Sequence, residues 1–249
     1  VILAYMLTGV RGVEAADISR AAEELPNDVP FHIHVSEQLR EVEDSLRYLG
    51  RRPVEWLLEN AELNERFHLV HATHLTAEET EKLAKSRASV VLCPSTEGNL
   101  GDGIFPLRKY QEFQGAWSIG TDSHIGLNFF EELRLLDYGQ RLVSHKRNTF
   151  GADAGLFAIK NATLAGRRAM NNFETEFFAA GADFDACVIY SEETLLENVS
   201  PENLASAIVY TADASQINET FVAGKSVERE ENYWEIRNRF AACARKFRS

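Results

Sequence analysis

Two histidines and a glutamate lie together at the end of one apolar segment of the sequence. His32 and His34 alternate with apolar residues, and Glu37 follows three positions after His34. Because side chains alternate along a strand, His32 and His34 point to the same side of it. A metal-binding histidine followed by a proton-carrying carboxylate can serve the chemistry of a metal-activated water. The alternative interpretation is two half-buried strand histidines and a glutamate that begins a helix.

Two further polar residues follow apolar segments in the same way. His71 ends one such segment, and Asp122 follows another, after Gly120 and Thr121. A histidine there suits a metal or a bound hydroxide, and an aspartate suits metal ligation or acceptance of a proton from water. Each also has an ordinary interpretation, since a single strand histidine is more often structural and aspartate commonly caps a helix. We interpret the nearby His68 and His74 as structural.

The strand ends taken together favour the functional interpretation. They carry His34 with Glu37, then His71, then Asp122, in this order along the chain. In parallel α/β folds the carboxyl ends of neighbouring strands meet at the edge where active sites lie. Converging ligands and proton carriers are what a mononuclear zinc hydrolase needs. Since all donors are nitrogen or oxygen, we expect one Zn²⁺ per active site, with Fe²⁺ or Mn²⁺ as alternatives.

The segments that position these residues alternate between strand and helix patterns. The predicted strands are 2–7, 31–35, 67–71, 89–93 and 117–121. The predicted helices are 14–24, 37–49 ending at Gly50, one beginning at Pro53, one beginning with a capping box at Thr76, 130–143 and 153–170. This alternation indicates parallel βαβ units, in an open doubly wound sheet or a closed barrel. No Gly-x-Gly-x-x-Gly follows any strand, which weakens a dinucleotide-binding interpretation.

The composition argues against several classes of partner. The chain has 249 residues, is 45% hydrophobic and carries a formal net charge of -12. Nucleic acids and anionic membranes bind clustered Lys and Arg, so neither is an expected partner. No apolar run approaches the roughly 20 residues of a membrane span. Three cysteines without a CxxC motif argue against disulfides or a cysteine-based zinc site, and a cytoplasmic location fits better.

The sequence resembles the amidohydrolase superfamily, specifically its adenosine- and guanine-deaminase-like branch. Within that branch it most resembles the formiminoglutamate deiminase family of histidine degradation. The superfamily pattern is His-x-x-Glu at the fifth barrel strand, His at the sixth and Asp at the eighth, which matches His34 with Glu37, His71 and Asp122. The narrower likeness is carried by CPSTEGNLGDG at 93–103, GTDSH at 120–124, and EELR with YGQR within 131–141. The likeness covers roughly residues 1–225.

The resemblance implies an α/β fold, a (β/α)₈ TIM barrel represented by about strands 4–8, with a remnant of a small β-sandwich domain. Residues 1–172 would be the carboxy-terminal part of the barrel. Residues 173–249 would hold the barrel end, small-domain strands at 185–190 and 220–225, and a terminal helix at 232–247. The family's strand-1 His-x-His pair has no counterpart before His32, so we expect the later half of a longer enzyme, inactive by itself.

The resemblance also implies roles for individual residues. The metal is held partly by His34 and Asp122, and Asp122 accepts a proton as hydroxide attacks the formimino carbon. His71 orients the hydroxide or stabilises the tetrahedral intermediate, in contact with the substrate. Glu37 carries a proton to the departing nitrogen, so that ammonia leaves and N-formylglutamate remains.

Arg11 matches a family arginine that contacts the substrate, and a guanidinium suits a substrate carboxylate. Its alternative interpretation is a solvated loop arginine. Thr8 stands where the family usually has histidine.

Two other functions are considered: deamination of a purine or another aromatic amidine, and a non-catalytic metal-binding fragment. The expected partner is a small-molecule substrate. Exposed strand edges of a partial barrel favour association, of which a homodimer is one form.

Overall fold

The computed structural model describes residues 5–7, 15–147, 149–151, 153–192, 194–227 and 233–247. Residues 5–7 and 15 are described by their backbone alone. Two compact units are present. The first holds the described residues up to Thr175 together with Glu193–Ala214, and the second comprises Glu176–Glu192 and Ser215–Ser249.

Within the described residues, five parallel strands form the sheet of the first unit. They are β1 (Tyr5–Leu7), β2 (Phe31–Val35), β3 (Phe67–His71), β4 (Ser89–Leu92) and β5 (Ala116–Ile119). Their order in the sheet, β1-β2-β3-β4-β5, follows the chain without reversal. A doubly wound sheet reverses its order at a switch point, whereas a βα barrel does not. The predicted α/β class with parallel strands is confirmed, and the order is that of a barrel segment.

Helices connect and follow these strands. They are α1 (Ala15–Glu24), α2 (Leu39–Leu49), α3 (Pro53–Asn60), α4 (Ala77–Lys85), α5 (Pro94–Leu100), α6 (Leu107–Glu112), α7 (Phe129–Ser144), α8 (Ala154–Ala169) and α9 (Pro201–Thr211). The predicted end signals act as expected. Gly50 ends α2 with a φ of 69°, where glycine has no Cβ to clash. Thr76 accepts from the Glu79 N–H, and the Glu79 side chain accepts from the Thr76 N–H.

The sequence analysis misplaced some boundaries and missed three helices. The predicted strands 89–93 and 117–121 are one to two residues too long at their ends, because Cys93 is the N-cap of α5 and β5 ends at Ile119. Helices α5 and α6 are only 7 and 6 residues long, too short for a helical hydrophobic period to show. Helix α9 was missed as well.

The core of the first unit lies between the sheet and its helices. Every residue of β3 is buried, and β2 alternates between buried and partly buried residues. Ile18, Leu69, Leu83 and Trp117 are representative of the cluster, each at most 1% exposed. Full burial of side chains of this size contributes roughly 1.5–3 kcal/mol each.

The string at 131–141 braces α7 against its surroundings. Arg134 donates from Nε to the Val209 carbonyl at 3.0 Å and from its terminal nitrogen to the Ala212 carbonyl at 2.6 Å, at the end of α9. Gln140 donates to the Phe105 carbonyl at 2.8 Å. Glu132 accepts from the Ser95 N–H at 2.9 Å. These contacts join α7 to α9, to the Phe105 segment and to α5, so packing accounts for part of the string.

The second unit contains an antiparallel sheet of β6 (Ala186–Ile189), β7 (Ile217–Val222) and β8 (Lys225–Ser226), and helix α10 (Tyr233–Lys246). The strand predicted at 220–225 corresponds to β7, which begins earlier, at Ile217, and ends sooner, at Val222. Ala223 and Gly224 have φ values of 48° and 75°, which form the hairpin turn between β7 and β8. None of the helices in the described ranges has the length and apolar composition required to cross a membrane.

Candidate active site

The strand ends that carry the candidate residues leave strand geometry through strained backbone. φ is 51° at Ser36, 67° at His71, 49° at Ala72 and 49° at Asp122. Positive φ in a residue with a Cβ costs of order 1–3 kcal/mol and persists where the surrounding structure imposes it, often at functional sites. The strain lies at the carboxyl ends of β2, β3 and β5.

His34, His71 and Asp122 bring one nitrogen or oxygen donor each to within 4.8 Å of one another. Asp122 Oδ2 lies 3.7 Å from His34 Nε2 and 3.1 Å from His71 Nε2. Zinc bonds of 2.0–2.2 Å in a tetrahedral arrangement place neighbouring donors roughly 3.4 Å apart. His71 Nε2 is buried and has no partner with hydrogen-bond geometry among the described residues. The three residues therefore fit a metal ion, and His71 joins the two ligands expected from the sequence.

Glu37 lies beside this cluster, with Oε1 3.6 Å from His71 Nε2. Burial raises the pKa of Glu37, and the negative charges of Asp102 and Asp122 act in the same direction, against His71 and His34. A carboxyl group with a raised pKa retains its proton closer to neutral pH, which suits a proton donor.

The loop that carries Glu37 is fixed by a residue that the sequence analysis missed. The carboxylate of Glu41, in the first turn of α2, accepts from the backbone N–H of Ser36 and of Glu37, each at 2.9 Å. A glutamate four residues after Glu37 at the start of a helix is a signal that could have identified it.

His71 is held from its other side by Glu97 on α5, whose Oε1 lies 3.3 Å from His71 Nδ1. Burial by itself lowers the pKa of His71, but the hydrogen bond to Glu97 and the charges of Glu37, Glu97 and Asp122 outweigh it, so that the pKa is raised. Glu97 lies within the string at 93–103, but nothing in that string connects it with His71.

The remaining residues singled out in the sequence are Arg11, Thr8 and His74. Arg11 and Thr8 lie outside the described residues. The His74 carbonyl accepts from Arg52 at 2.6 Å, and the buried Nε2 of His74 has no hydrogen-bond partner within the described chain. A Cβ on Gly103 would lie 3.3 Å from His74 Cε1, and Gly103 has a φ of 128°, so this position requires glycine.

The comparison of this sequence with known families gives one match. The sequence profile of the amidohydrolase family matches residues 5–227. Formimidoylglutamate deiminase of Pseudomonas aeruginosa is 37% identical over 224 residues, which are 89% of this chain and 49% of that enzyme. The chain thus spans about half the length of the curated relatives it matches.

Solved structures agree with this match. An amidohydrolase from Brucella melitensis superimposes with a TM-score of 0.86 at 32% identity, over 99% of this chain and 55% of that one. An adenosine deaminase from Xanthomonas campestris, with bound zinc, superimposes with a TM-score of 0.79 at 26% identity, over 98% of this chain and 56% of that one.

Proposed function

Because this chain belongs to the amidohydrolase family, we propose that the protein containing it is a metal-dependent hydrolase that converts N-formimino-L-glutamate to N-formyl-L-glutamate and ammonia. The observation that carries the proposal is the convergence of His34, His71 and Asp122 with Glu37 beside them. The similarity to the Pseudomonas enzyme supports the choice of substrate. The reaction would belong to histidine degradation in the cytoplasm.

The proposed metal is Zn²⁺, in keeping with the zinc bound by the Xanthomonas enzyme, held here by His34 and Asp122 with His71 as a further candidate. Such an ion would supply a Lewis acid that lowers the pKa of its bound water to about 7. Fe²⁺ or Mn²⁺ would suit the same nitrogen and oxygen donors.

The side chains divide the remaining work by position and charge. The Asp122 carboxylate accepts a proton from the attacking water, and His71 Nε2 orients that water. As the oxygen adds to the formimino carbon, Glu37 protonates the terminal nitrogen. The raised pKa of Glu37 supports this role. The hydroxyl hydrogen of this adduct passes to the same nitrogen through the Glu37 carboxylate, the bond between that carbon and nitrogen breaks, and ammonia leaves with the formyl group on the glutamate nitrogen. The proton on Asp122 then restores the acid form of Glu37. Arg11 stays the proposed partner of a substrate carboxylate.

A second candidate is deamination of a purine or another aromatic amidine. The similarity to the Xanthomonas adenosine deaminase favours it, as does Thr8 where the resembled family has histidine. Both candidates use the same hydrolytic centre and differ in the group that holds the rest of the substrate.

The test is ammonia release from N-formimino-L-glutamate by the gene product that contains this chain, after chelation and after zinc is restored. Adenosine and guanine are assayed in parallel. Zinc-dependent release from N-formimino-L-glutamate alone supports the proposal. Release from the purines alone supports the second candidate, and no release from any of them by zinc-loaded protein contradicts both.

A further inference from the structure

Glu97 is a buried carboxylate that contacts a residue of the site without facing the site itself. Its side chain is 6% exposed, and one oxygen, Oε1, meets both the Cys93 backbone N–H at 3.0 Å and His71 Nδ1 at 3.3 Å. We propose that Glu97 is a positioning residue that fixes the tautomer and the ring orientation of His71. This inference rests on the proposed function, because it concerns the same reaction centre.

The tautomer follows from the inventory of donors and acceptors. An ionised carboxylate only accepts hydrogen bonds, so the ring nitrogen that faces Glu97 must carry the hydrogen. Nε2, by contrast, has no partner with hydrogen-bond geometry among the described residues, so Nδ1 carries the hydrogen in the neutral and in the charged ring alike. In the neutral ring Nε2 is then the lone-pair nitrogen, and it faces Glu37 at 3.6 Å and Asp122 at 3.1 Å.

Glu97 is itself held rigidly, as a positioning residue must be. The Cys93 N–H fixes its oxygen from the end of β4. On the preceding residue, Thr96 Oγ1 donates to the Thr121 carbonyl at 2.8 Å and accepts from the His124 N–H at 3.1 Å. Helix α5 is thereby tied to the end of β5, next to Asp122. The same helix therefore connects the partner of His71 to the loop that carries the aspartate.

The backbone of His71 makes such support necessary. With a φ of 67°, the residue is strained, and strain of this kind persists only where neighbours impose it. Without Glu97, a neutral ring would be free to carry its hydrogen on Nε2, which is the preferred tautomer of an unrestrained imidazole. The reacting water would then meet a donor where it requires an acceptor.

The variants that isolate this role are Glu97→Gln, Glu97→Met and the control Glu132→Met. In Glu97→Gln the Cys93 N–H keeps the amide oxygen turned toward itself, so the acceptor for His71 is retained. Glu97→Met removes the acceptor at similar volume. Glu132 is a matched control because it is also buried, at 2% exposure, and accepts from the Ser95 N–H on the same helix, but it makes no hydrogen bond or ion pair with His71 among the described residues.

The first readout is independent of substrate and of metal. Nitrogen-15 and carbon-13 NMR of the metal-free gene product, at a pH where the ring is neutral, reports which nitrogen of His71 carries the hydrogen, with His71→Asn used for assignment. We expect the Nδ1–H tautomer in the parent, in Glu97→Gln and in Glu132→Met, and the Nε2–H tautomer in Glu97→Met. The Nε2–H tautomer in the parent would overturn the proposal even if Glu97→Met does not fold.

The second readout is steady-state kinetics with the substrate that the parent turns over. Loss of an outer partner of a site histidine typically costs about 10- to 100-fold, so kcat should fall by that factor in Glu97→Met with KM little changed. Glu97→Gln should restore kcat, and Glu132→Met should lower thermal stability but not kcat. Equal kcat values in Glu97→Met and Glu132→Met would contradict the proposal. If N-formimino-L-glutamate is not a substrate, the proposed function fails while the NMR result still decides the role of Glu97.

Discussion

His34 and His71, at the carboxyl ends of β2 and β3, differ in environment from His32 and His68, which lie deeper on the same two strands. The first two rings are 5.4 Å apart and the second two are stacked at 4.7 Å. His71 is surrounded by the carboxylates of Glu37, Glu97 and Asp122, which raise its pKa against the effect of burial. The carboxylates at the ends of these strands thus stabilise the charged form of the His71 ring.

The deeper pair has neutral partners. His32 Nε2 lies 2.9 Å from the Ala169 carbonyl, and His68 Nδ1 lies 2.5 Å from Ser89 Oγ. Burial lowers the pKa of His68 to about 3, and the nearby His32 adds to the shift. Residue type and strand are therefore poor guides to chemistry, and the charge of the surrounding groups decides what a buried histidine can do.

The largest expected effect is at Glu37, the carboxylate beside His34 and His71. Glu37→Gln keeps the shape of the side chain but removes its proton, so turnover should fall by about 10²- to 10⁴-fold, the usual contribution of a general acid or base. Zinc content, measured by atomic absorption, should stay near that of the parent. The matched variant Glu62→Gln, exposed ahead of β3, should retain activity. Full activity in Glu37→Gln would remove this residue from the mechanism.

The two histidines of β2 should differ in their effect on metal binding. His34→Asn removes a proposed ligand, so zinc affinity should fall by more than about 100-fold, the upper range for loss of an outer partner alone. His32→Asn should leave zinc affinity close to that of the parent, because His32 contacts the Ala169 carbonyl. Competition with a fluorescent chelator measures both. Equal losses in the two variants would end the distinction between the pairs.

The deeper pair should matter for stability instead. Ser89→Ala removes the hydroxyl that contacts His68 Nδ1 and leaves a buried polar atom unpaired, at a cost of about 1–3 kcal/mol in the free energy of unfolding. Ser118→Ala, at a buried serine on β5, is the control for loss of a hydroxyl. Urea denaturation measures both, and an unchanged stability in Ser89→Ala would show that the contact contributes little.

A further prediction for the deeper pair is a slope in the pH dependence of stability. The pKa of His68 is 6.5 when unperturbed and about 3 in the fold, so between these values the unfolded chain binds a proton that the folded chain does not. Stability contributed by the neutral ring is present above the unfolded pKa and falls as the pH decreases, by up to about 1.4 kcal/mol per pH unit. His68→Asn should remove this component. Parallel pH profiles of parent and variant would show that His68 does not titrate in this way.

Local signals in the sequence predicted much of the fold. Short apolar or β-branched runs located β2 and β3 to the residue, and Gly50, Pro53 and Thr76 set helix boundaries through backbone and capping preferences that act within a few residues. The short α5 and α6 were missed, because a helix of about two turns shows no complete hydrophobic period.

The sequence by itself determined which side chains stand at the strand ends: His34 with Glu37, His71 and Asp122. The tertiary structure decided how they meet. Strict alternation would place His71 on the face of Val35, its partner in the sheet register, but a φ of 67° turns it out of strand geometry, and its ring lies beside that of His34. Glu97 reaches His71 across 26 positions of the chain. Periodicity reports only neighbours within a turn or a strand, so contacts between distant segments appear when the chain is folded.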